Sequence, residues 1–289
     1  MSVSIQSLLV RGKHLENVST SWKLEVELLL ANALGRSREW LLIRPDQLLN
    51  ESQLQVFELS FQRRSKGEPL AYILGKRAFW DFDLLVDRRV LIPRPETELL
   101  VECALKCLQG RESESLHLLD LGTGSGAIAI ALARQSPNWH VTAVDISEKA
   151  LQIAKANQET LEVTNMTLER SSWYAGLSGR EFDLIVSNPP YIAPGDPHLQ
   201  GDGLNFEPQL ALVAEENGLS AIRHIVAGAG PHLKSAAWLL LEHGYDQRAK
   251  VEAIMARQGF ENITRWKDLS NNDRVIGGRR TLEPENLPC

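Results

Sequence analysis

Asn188-Pro189-Pro190-Tyr191 is the stretch of this chain whose residue types are best suited to chemistry. It follows Phe182-Asp183-Leu184-Ile185-Val186-Ser187, an apolar run that predicts a buried strand. Two successive prolines stop sheet pairing and fix the backbone, so the Asn188 side chain and the Pro189 carbonyl can face a crevice as two fixed hydrogen-bond acceptors. A planar NH2 group is what two such acceptors would hold. Tyr191 adds an aromatic face and a hydroxyl beside that group. Taken alone, the same residues also read as a proline-rich turn that closes a strand.

A second constellation lies upstream. His117-Leu118-Leu119-Asp120-Leu121 predicts a strand, Gly122-Thr123-Gly124-Ser125-Gly126 a glycine loop, and Ala127-Ile128-Ala129-Ile130-Ala131-Leu132-Ala133 the helix that follows. The glycines let the backbone turn tightly and approach a ligand closely, and the start of the helix offers unpaired N–H groups. The next predicted strand, Trp139 to Val144, ends at Asp145, where a carboxylate can accept both hydroxyls of a ribose. An adenosine-type cofactor is implied. Gly122, Gly124 and Gly126 also satisfy a loose dinucleotide-binding pattern. Asp120, however, would repel a pyrophosphate while tolerating a cationic sulfonium and its amino group. The loop therefore favours S-adenosylmethionine over a nicotinamide cofactor, and the Asn-Pro-Pro-Tyr strand end strengthens that choice.

These residues need a scaffold, and the alternation of patterns predicts one. From Leu118 onward strands and helices alternate: a helix opens after Asp145, Met166 to Glu169 and Phe182 to Val186 are strands, and Leu219 to Ala229 is a helix. Ala236 to Leu241 is a strongly apolar strand, Gln247 to Arg257 a helix, and Ile263 to Trp266 and Arg274 to Ile276 two final strands able to pair as a hairpin. The expected fold is a doubly wound, mostly parallel α/β sheet with ligands at the carboxyl ends of its strands. Gly122, Asp145, Trp173 and Asn188 all fall near such ends. The irregular segment 193–217, rich in glycine and proline, is long for a compact domain and is expected to face substrate, with Phe206-Glu207-Pro208 as a wall of the site.

The N-terminal part is different. Ser21 can cap a helix carrying Leu24, Leu28, Leu29 and Ala31 and stopped by Gly35; Asn50 with Gln53 resembles a capping box ahead of Leu54, Phe57, Leu59 and Phe61. This predicts a small helical bundle over 1–66. It holds no paired carboxylates or nucleophile, so its expected role is recognition. Gly67-Glu68-Pro69 ends it, and three short extended segments, 71–75, 78–82 and 83–86, suggest a β-hairpin connector over 67–92. Thr97 is available to cap the helix of Leu99 to Glu102, with Arg94 and Glu96 on the turn above the glycine loop.

Composition bounds the rest. A chain of 289 residues accommodates one large domain and a small one. No apolar run reaches membrane-spanning length, and Gln6, Arg11 and Lys13 around Leu8-Leu9-Val10 lack a secretory design, so a cytoplasmic protein is expected. Cys103, Cys107 and Cys289 do not make a disulfide framework, and no metal is required. The seven histidines are scattered and read as structural. A net charge of −6 argues against an extended grip on nucleic acid.

The ordered set Gly67-Glu68-Pro69, Leu91 to Glu98, the glycine loop, Asn188-Pro189-Pro190-Tyr191, Phe206-Glu207-Pro208, Leu241-Glu242-His243-Gly244 and Asn272-Asp273-Arg274-Val275 resembles the HemK/PrmC family across nearly the whole chain. The resemblance implies a class I, Rossmann-like S-adenosylmethionine-dependent methyltransferase domain over 93–289, whose product is S-adenosylhomocysteine. It further implies an N-terminal helical domain that recognises peptide-chain release factors, and methylation of the side-chain nitrogen of the glutamine in their Gly-Gly-Gln motif. By motif, Gly122, Thr123, Gly124, Ser125 and Gly126 would line the methionine and ribose, Asp145 hold the ribose, Trp173 pack near the adenine, and Asn188, Pro189, Pro190 and Tyr191 hold the glutamine amide. Ser125 stands where family members often have threonine, which keeps the hydroxyl. A glutamine methyltransferase of a ribosomal protein, or a nucleic-acid amino-methyltransferase that flips its base against the same residues, are the alternatives.

Overall fold

The computed structural model describes residues 3–201 and 203–280; Cys289 lies outside them. Among these the chain divides into two compact units: the chain up to Lys76 together with Gln200–Phe206, and Arg77–Leu199 together with the chain from Glu207 onward.

The first unit is helical: α1 (Ile5–Arg11), α2 (Trp22–Leu34), α3 (Arg38–Leu42), α4 (Glu51–Ser65) and α5 (Leu70–Leu74). Helix α2 buries Val26, Leu29 and Leu30 and leaves Leu24 exposed; α4 buries Phe57, Ser60 and Phe61 and leaves Leu59 exposed. Both buried sets follow i, i+3, i+4, and this phase rather than the plain run of leucines selects the inward face. Ile5, Leu8, Leu41 and Ile73 complete that core. Ser21 precedes α2 without a side-chain capping bond, whereas Gly35 closes it in the left-handed conformation at φ +61°. Arg64 on α4 and Glu25 on α2 form a half-sequestered ion pair at 2.7 Å.

Asn50 and Gln53 do form a reciprocal capping box: Asn50 Oδ1 accepts from the Gln53 N–H at 2.8 Å, and Gln53 Oε1 accepts from the Asn50 N–H at 3.1 Å. Replacing Asn50 with alanine is expected to cost about 1 kcal/mol of helix stability, seen as a lower urea midpoint; an unchanged midpoint would contradict the cap. Residues 71–74, expected to be extended, are helical instead. Pro69 starts this turn by accepting from the N–H groups of Tyr72 and Ile73, and Gly75 ends it at φ +72°. A five-residue apolar run between a proline and a glycine carries no period long enough to separate strand from helix.

The second unit opens with strand β1 (Lys76–Phe79), whose first residue belongs to the helical unit, paired with β2 (Phe82–Leu85) across Trp80-Asp81. Helix α6 (Pro95–Cys107) leads into a seven-stranded sheet of β3 (Leu116–Leu121), β4 (Trp139–Asp145), β5 (Met166–Arg170), β6 (Phe182–Ser187), β7 (Leu233–Glu242), β8 (Phe260–Lys267) and β9 (Asp273–Arg280). The connecting helices are α7 (Ala127–Ala133), α8 (Glu148–Thr160), the short α9 (Gln209–Leu212) and α10 (Glu215–Gly218), α11 (Ser220–Ala229) and α12 (Arg248–Arg257). The strand order is β5-β4-β3-β6-β7-β9-β8, parallel except for β9, which runs antiparallel to both β7 and β8. The expected terminal hairpin is thus present.

The chain moves outward from β3 through β4 to β5 and then returns to place β6 on the other side of β3. That reversal opens a crevice at the carboxyl ends of the strands flanking it. The register levels those ends. Leu121 pairs with Val144 on β4 and with Ser187 on β6, and Ser187 pairs in turn with Leu241 on β7. Gly122, Asp145, Asn188 and Glu242, each one residue further along, therefore lie level along the carboxyl edge of the sheet.

Candidate active site

A cavity of about 380 Å³ occupies this crevice, with Gly122, Gly124, Asp145, Trp173, Asn188 and Pro190 in its walls. Gly122 and Gly124 take positive φ, +74° and +58°, which a side chain would make strained. A Cβ on Gly124 would meet nothing within 4 Å, so that glycine's backbone faces open space. Asp145 is held from behind: Oδ2 accepts the Gly124 N–H at 3.0 Å and Oδ1 the Ser147 N–H at 2.8 Å. Burial raises its pKa, and these two bonds act in the opposite direction. Trp173 stands opposite Gly122, in a left-handed conformation (φ +52°) whose carbonyl accepts the Ser171 hydroxyl at 2.9 Å.

Thr123, Ser125 and Gly126 are not in the cavity wall; they build the loop. The Thr123 hydroxyl donates to Asp120 Oδ2 at 2.7 Å, and the Ser125 carbonyl accepts from Asn157 Nδ2 at 2.9 Å. Gly126 packs against α8, where a Cβ would come within 3.4 Å of that of Ala154. Asp120 departs from expectation as well, being fully buried and no part of the wall. Desolvation pushes its carboxyl up to about 7.

A folded pKa above the unfolded one means the native state binds the proton more tightly, so stability is lost as pH rises from about 4 to about 7. In Asp120→Asn this component is absent. Its thermal midpoint is expected to fall less between acidic and mildly alkaline buffer than that of the wild type; equal falls would contradict the assignment.

The Asn-Pro-Pro-Tyr segment is anchored on several sides. Asn188 Nδ2 donates to Thr97 Oγ1 at 3.0 Å. Thr97 is not the cap of α6: Arg94 precedes the helix and Pro95 opens it, where a missing N–H costs nothing, and Thr97 turns inward from the first turn. The Tyr191 hydroxyl donates to Glu242 Oε1 at 3.1 Å, and the Tyr191 carbonyl accepts from Gln247 Nε2 at 2.9 Å. Pro189 is buried and Tyr191 half-buried; neither is in the cavity wall. Beyond Tyr191, Ile192 exchanges two backbone bonds with Leu212 and Ala214. Gly218 is obligatory here, since a Cβ would lie 2.1 Å from the Tyr191 carbonyl oxygen.

Glu207, buried, accepts the Ile92 N–H at 3.0 Å and pairs with Arg94, which ties the segment before α6 to Pro208 in the cavity wall. Arg94 is thus clamped by Glu207. Sequence reading makes Thr97 a helix cap and Glu207 part of a site wall and gives Glu242 no role of its own, because their actual partners lie far along the chain. For Glu242 the available signal is a carboxylate ending a strongly apolar strand. The 193–217 segment consists of short turns, 3-10 pieces and the one-turn α9 and α10; its Glu216 and Asn217 both lie at φ +57°.

Comparison with known proteins bears on this geometry. Residues 96–200 match the family model "Methyltransferase small domain" and residues 12–75 match "PrmC N-terminal domain". A release factor glutamine methyltransferase of Pseudomonas aeruginosa is 47% identical over 261 residues, 90% of this chain and 94% of that protein. One from Vibrio cholerae is 44% identical over 288 residues, 99% of this chain and 100% of that protein. The chain belongs to the release factor glutamine methyltransferase family. Among solved structures, the ribosomal protein L11 methylase of Lactobacillus delbrueckii subsp. bulgaricus superposes with a TM-score of 0.51 at 20% identity, over 68% of this chain and 84% of that one, and shares the methyltransferase fold.

Family membership makes the chain an enzyme with a Rossmann-like methyltransferase domain. The cavity walls suit the cofactor such a fold uses: two glycines offer bare backbone, a carboxylate is oriented at the end of β4, and an aromatic ring faces the loop. Among the described residues no helix is long and apolar enough to cross a membrane.

Proposed function

We propose that this enzyme transfers a methyl group from S-adenosylmethionine to the side-chain nitrogen N5 of the glutamine in the Gly-Gly-Gln motif of peptide-chain release factors. The observation that carries the reading is the tether of Asn188: its NH2 group is committed to Thr97, which leaves its oxygen for a donor in the crevice. On this reading the helical residues 1–66 recognise the release factor, 67–92 connect, 93–289 carry the chemistry, and the enzyme works in the cytoplasm.

Gly122 and Gly124 would cradle the methionine and ribose part of the cofactor, Asp145 would accept the ribose hydroxyls, and Trp173 would pack near the adenine. Bound there, S-adenosylmethionine supplies an electrophilic methyl on a cationic sulfur. The difficulty of the reaction lies in the other partner. An amide nitrogen is a weak nucleophile because its lone pair is delocalised into its carbonyl.

Positioning must therefore do most of the work. Asn188 Oδ1 and the Pro189 carbonyl each accept one N–H of the glutamine amide, aim its nitrogen along the line of transfer, and stabilise the positive charge that develops on it. Pro189 and Pro190 keep those acceptors from relaxing. No strong base is needed beforehand, since the methylated nitrogen is far more acidic and releases its proton afterwards. The substrate class is tested by offering labelled S-adenosylmethionine with a release factor, a ribosomal protein or duplex DNA. Label in the release factor alone is the expected result; label confined to DNA or to the ribosomal protein would overturn the substrate and leave the fold standing.

A further inference from the structure

Glu242 is the one fully buried carboxylate touching the Asn-Pro-Pro-Tyr segment among the described residues, and nothing in the chemistry above uses it. It ends β7 level with Asn188, because Leu241 is registered against Ser187. Its Oε1 accepts from the Tyr191 hydroxyl, while its Oε2, buried, has no hydrogen-bond partner. The Thr97 hydroxyl faces the same carboxylate and favours its charged form. Thr97 Oγ1 in turn accepts from Asn188 Nδ2 at 3.0 Å. Four side chains from three parts of the fold thus meet, joined by two hydrogen bonds and by the Thr97 hydroxyl facing Glu242 between them.

We propose that Glu242 is a positioning residue for methyl transfer, acting through Thr97 to set which end of the Asn188 amide faces the substrate. The inference rests on the proposed reaction at the same site. An asparagine amide has two ends of nearly equal shape, and only its hydrogen bonds choose between them. An ionised carboxylate accepts and never donates. Thr97 must then give its proton toward Glu242 and receive one from Asn188, which turns Asn188 Oδ1 toward the incoming N–H. If Glu242 gains a proton, or becomes glutamine, a donor faces Thr97. The Thr97 proton then turns to Asn188, the amide reverses, and an NH2 group meets the NH2 of the substrate.

The surroundings bear on that switch. From α6 come Thr97 and Glu96, from β9 Arg274, and from the segment after β6 Tyr191; Arg274 favours the ionised form and Glu96 opposes it. Burial, with the adjacent Glu242 charge, holds the Tyr191 phenol protonated, so it remains a donor. Desolvation pushes the Glu242 carboxyl up to about 7, within the range where an assay can titrate it.

The test is release-factor methylation by the full chain, with wild type, E242Q, T97V, T97S and the E242Q/T97V double variant compared across mildly acidic to alkaline pH. Affinity for S-adenosylhomocysteine is measured in parallel. E242Q and T97V are each expected to lower kcat by about 10²-fold with cofactor affinity unchanged, T97S to regain most of the loss, and the double variant to be no worse than the poorer single one. Wild-type kcat should fall as pH drops through about 7, and that acid limb should vanish in E242Q. Wild-type kcat in E242Q, retention of the acid limb, or losses that multiply in the double variant would each overturn the proposal while the reaction stood. A wild-type enzyme unable to methylate a release factor would remove the reaction and this role with it. Should E242Q fail to fold, the T97V and T97S pair and the wild-type acid limb decide alone: loss in T97V, recovery in T97S and a present limb support the relay, and any other pattern rejects it.

Discussion

Asn188→Ala is expected to lower kcat by about 10²–10³-fold while leaving the affinity for S-adenosylhomocysteine within a few-fold of wild type. The reasoning follows from where Asn188 stands. Its backbone leaves β6 next to the glycine loop, but the side of the cavity proposed for the cofactor is built mainly from Gly122, Gly124, Asp145 and Trp173. Truncation removes one of the two acceptors proposed for the glutamine amide and strands the Thr97 hydroxyl without its donor. Single-turnover methylation with calorimetric titration of S-adenosylhomocysteine separates the two effects. Undiminished turnover would sink the role assigned to Asn188, and a parallel loss of cofactor affinity would move that residue to the cofactor.

Asp145→Ala should show the opposite split. Two hydrogen bonds from ribose hydroxyls to a carboxylate are worth roughly 1.5–3 kcal/mol each, so cofactor affinity is expected to fall by about 10²-fold or more. The same truncation leaves the Gly124 and Ser147 N–H groups without their acceptor, which loosens the glycine loop and adds to the loss. At saturating cofactor much of kcat should return, because the proposed acceptors for the glutamine amide follow a different strand, β6. Unchanged affinity for S-adenosylhomocysteine would contradict the placement of the ribose at Asp145.

The contrast between these two residues reflects how much of the molecule was legible in the chain. The strand, glycine loop and helix around Gly122, and the apolar run before Asn188, are local patterns, and each appears where its own residues predict it. The terminal hairpin and the Asn50–Gln53 capping box are likewise set by neighbours in sequence. What escaped is the set of contacts between distant elements. Thr97 reads locally as a helix cap, yet its partner is Asn188, 91 residues away. Glu207 reads as part of an irregular loop, yet it binds Ile92 and Arg94. Asp120 sits beside a ligand loop in sequence but alternates inward, to Thr123.

Short apolar runs are ambiguous for a different reason. Leu70–Leu74 is helical because Pro69 and Gly75 bracket one turn, and no periodicity over five residues could announce it. In α2 and α4 the helix was evident from its caps while the inward face was not, because leucines occur on both faces and only packing selects Val26, Leu29 and Leu30 over Leu24.

The most direct test of the account is fragmentation mass spectrometry of a release factor after incubation with this enzyme and S-adenosylmethionine. One added methyl group is expected on the side-chain nitrogen of the glutamine in the Gly-Gly-Gln motif, absent when Asn188→Ala replaces the wild type. A methyl group on any other residue, or a release factor left unmodified by active enzyme, would contradict it.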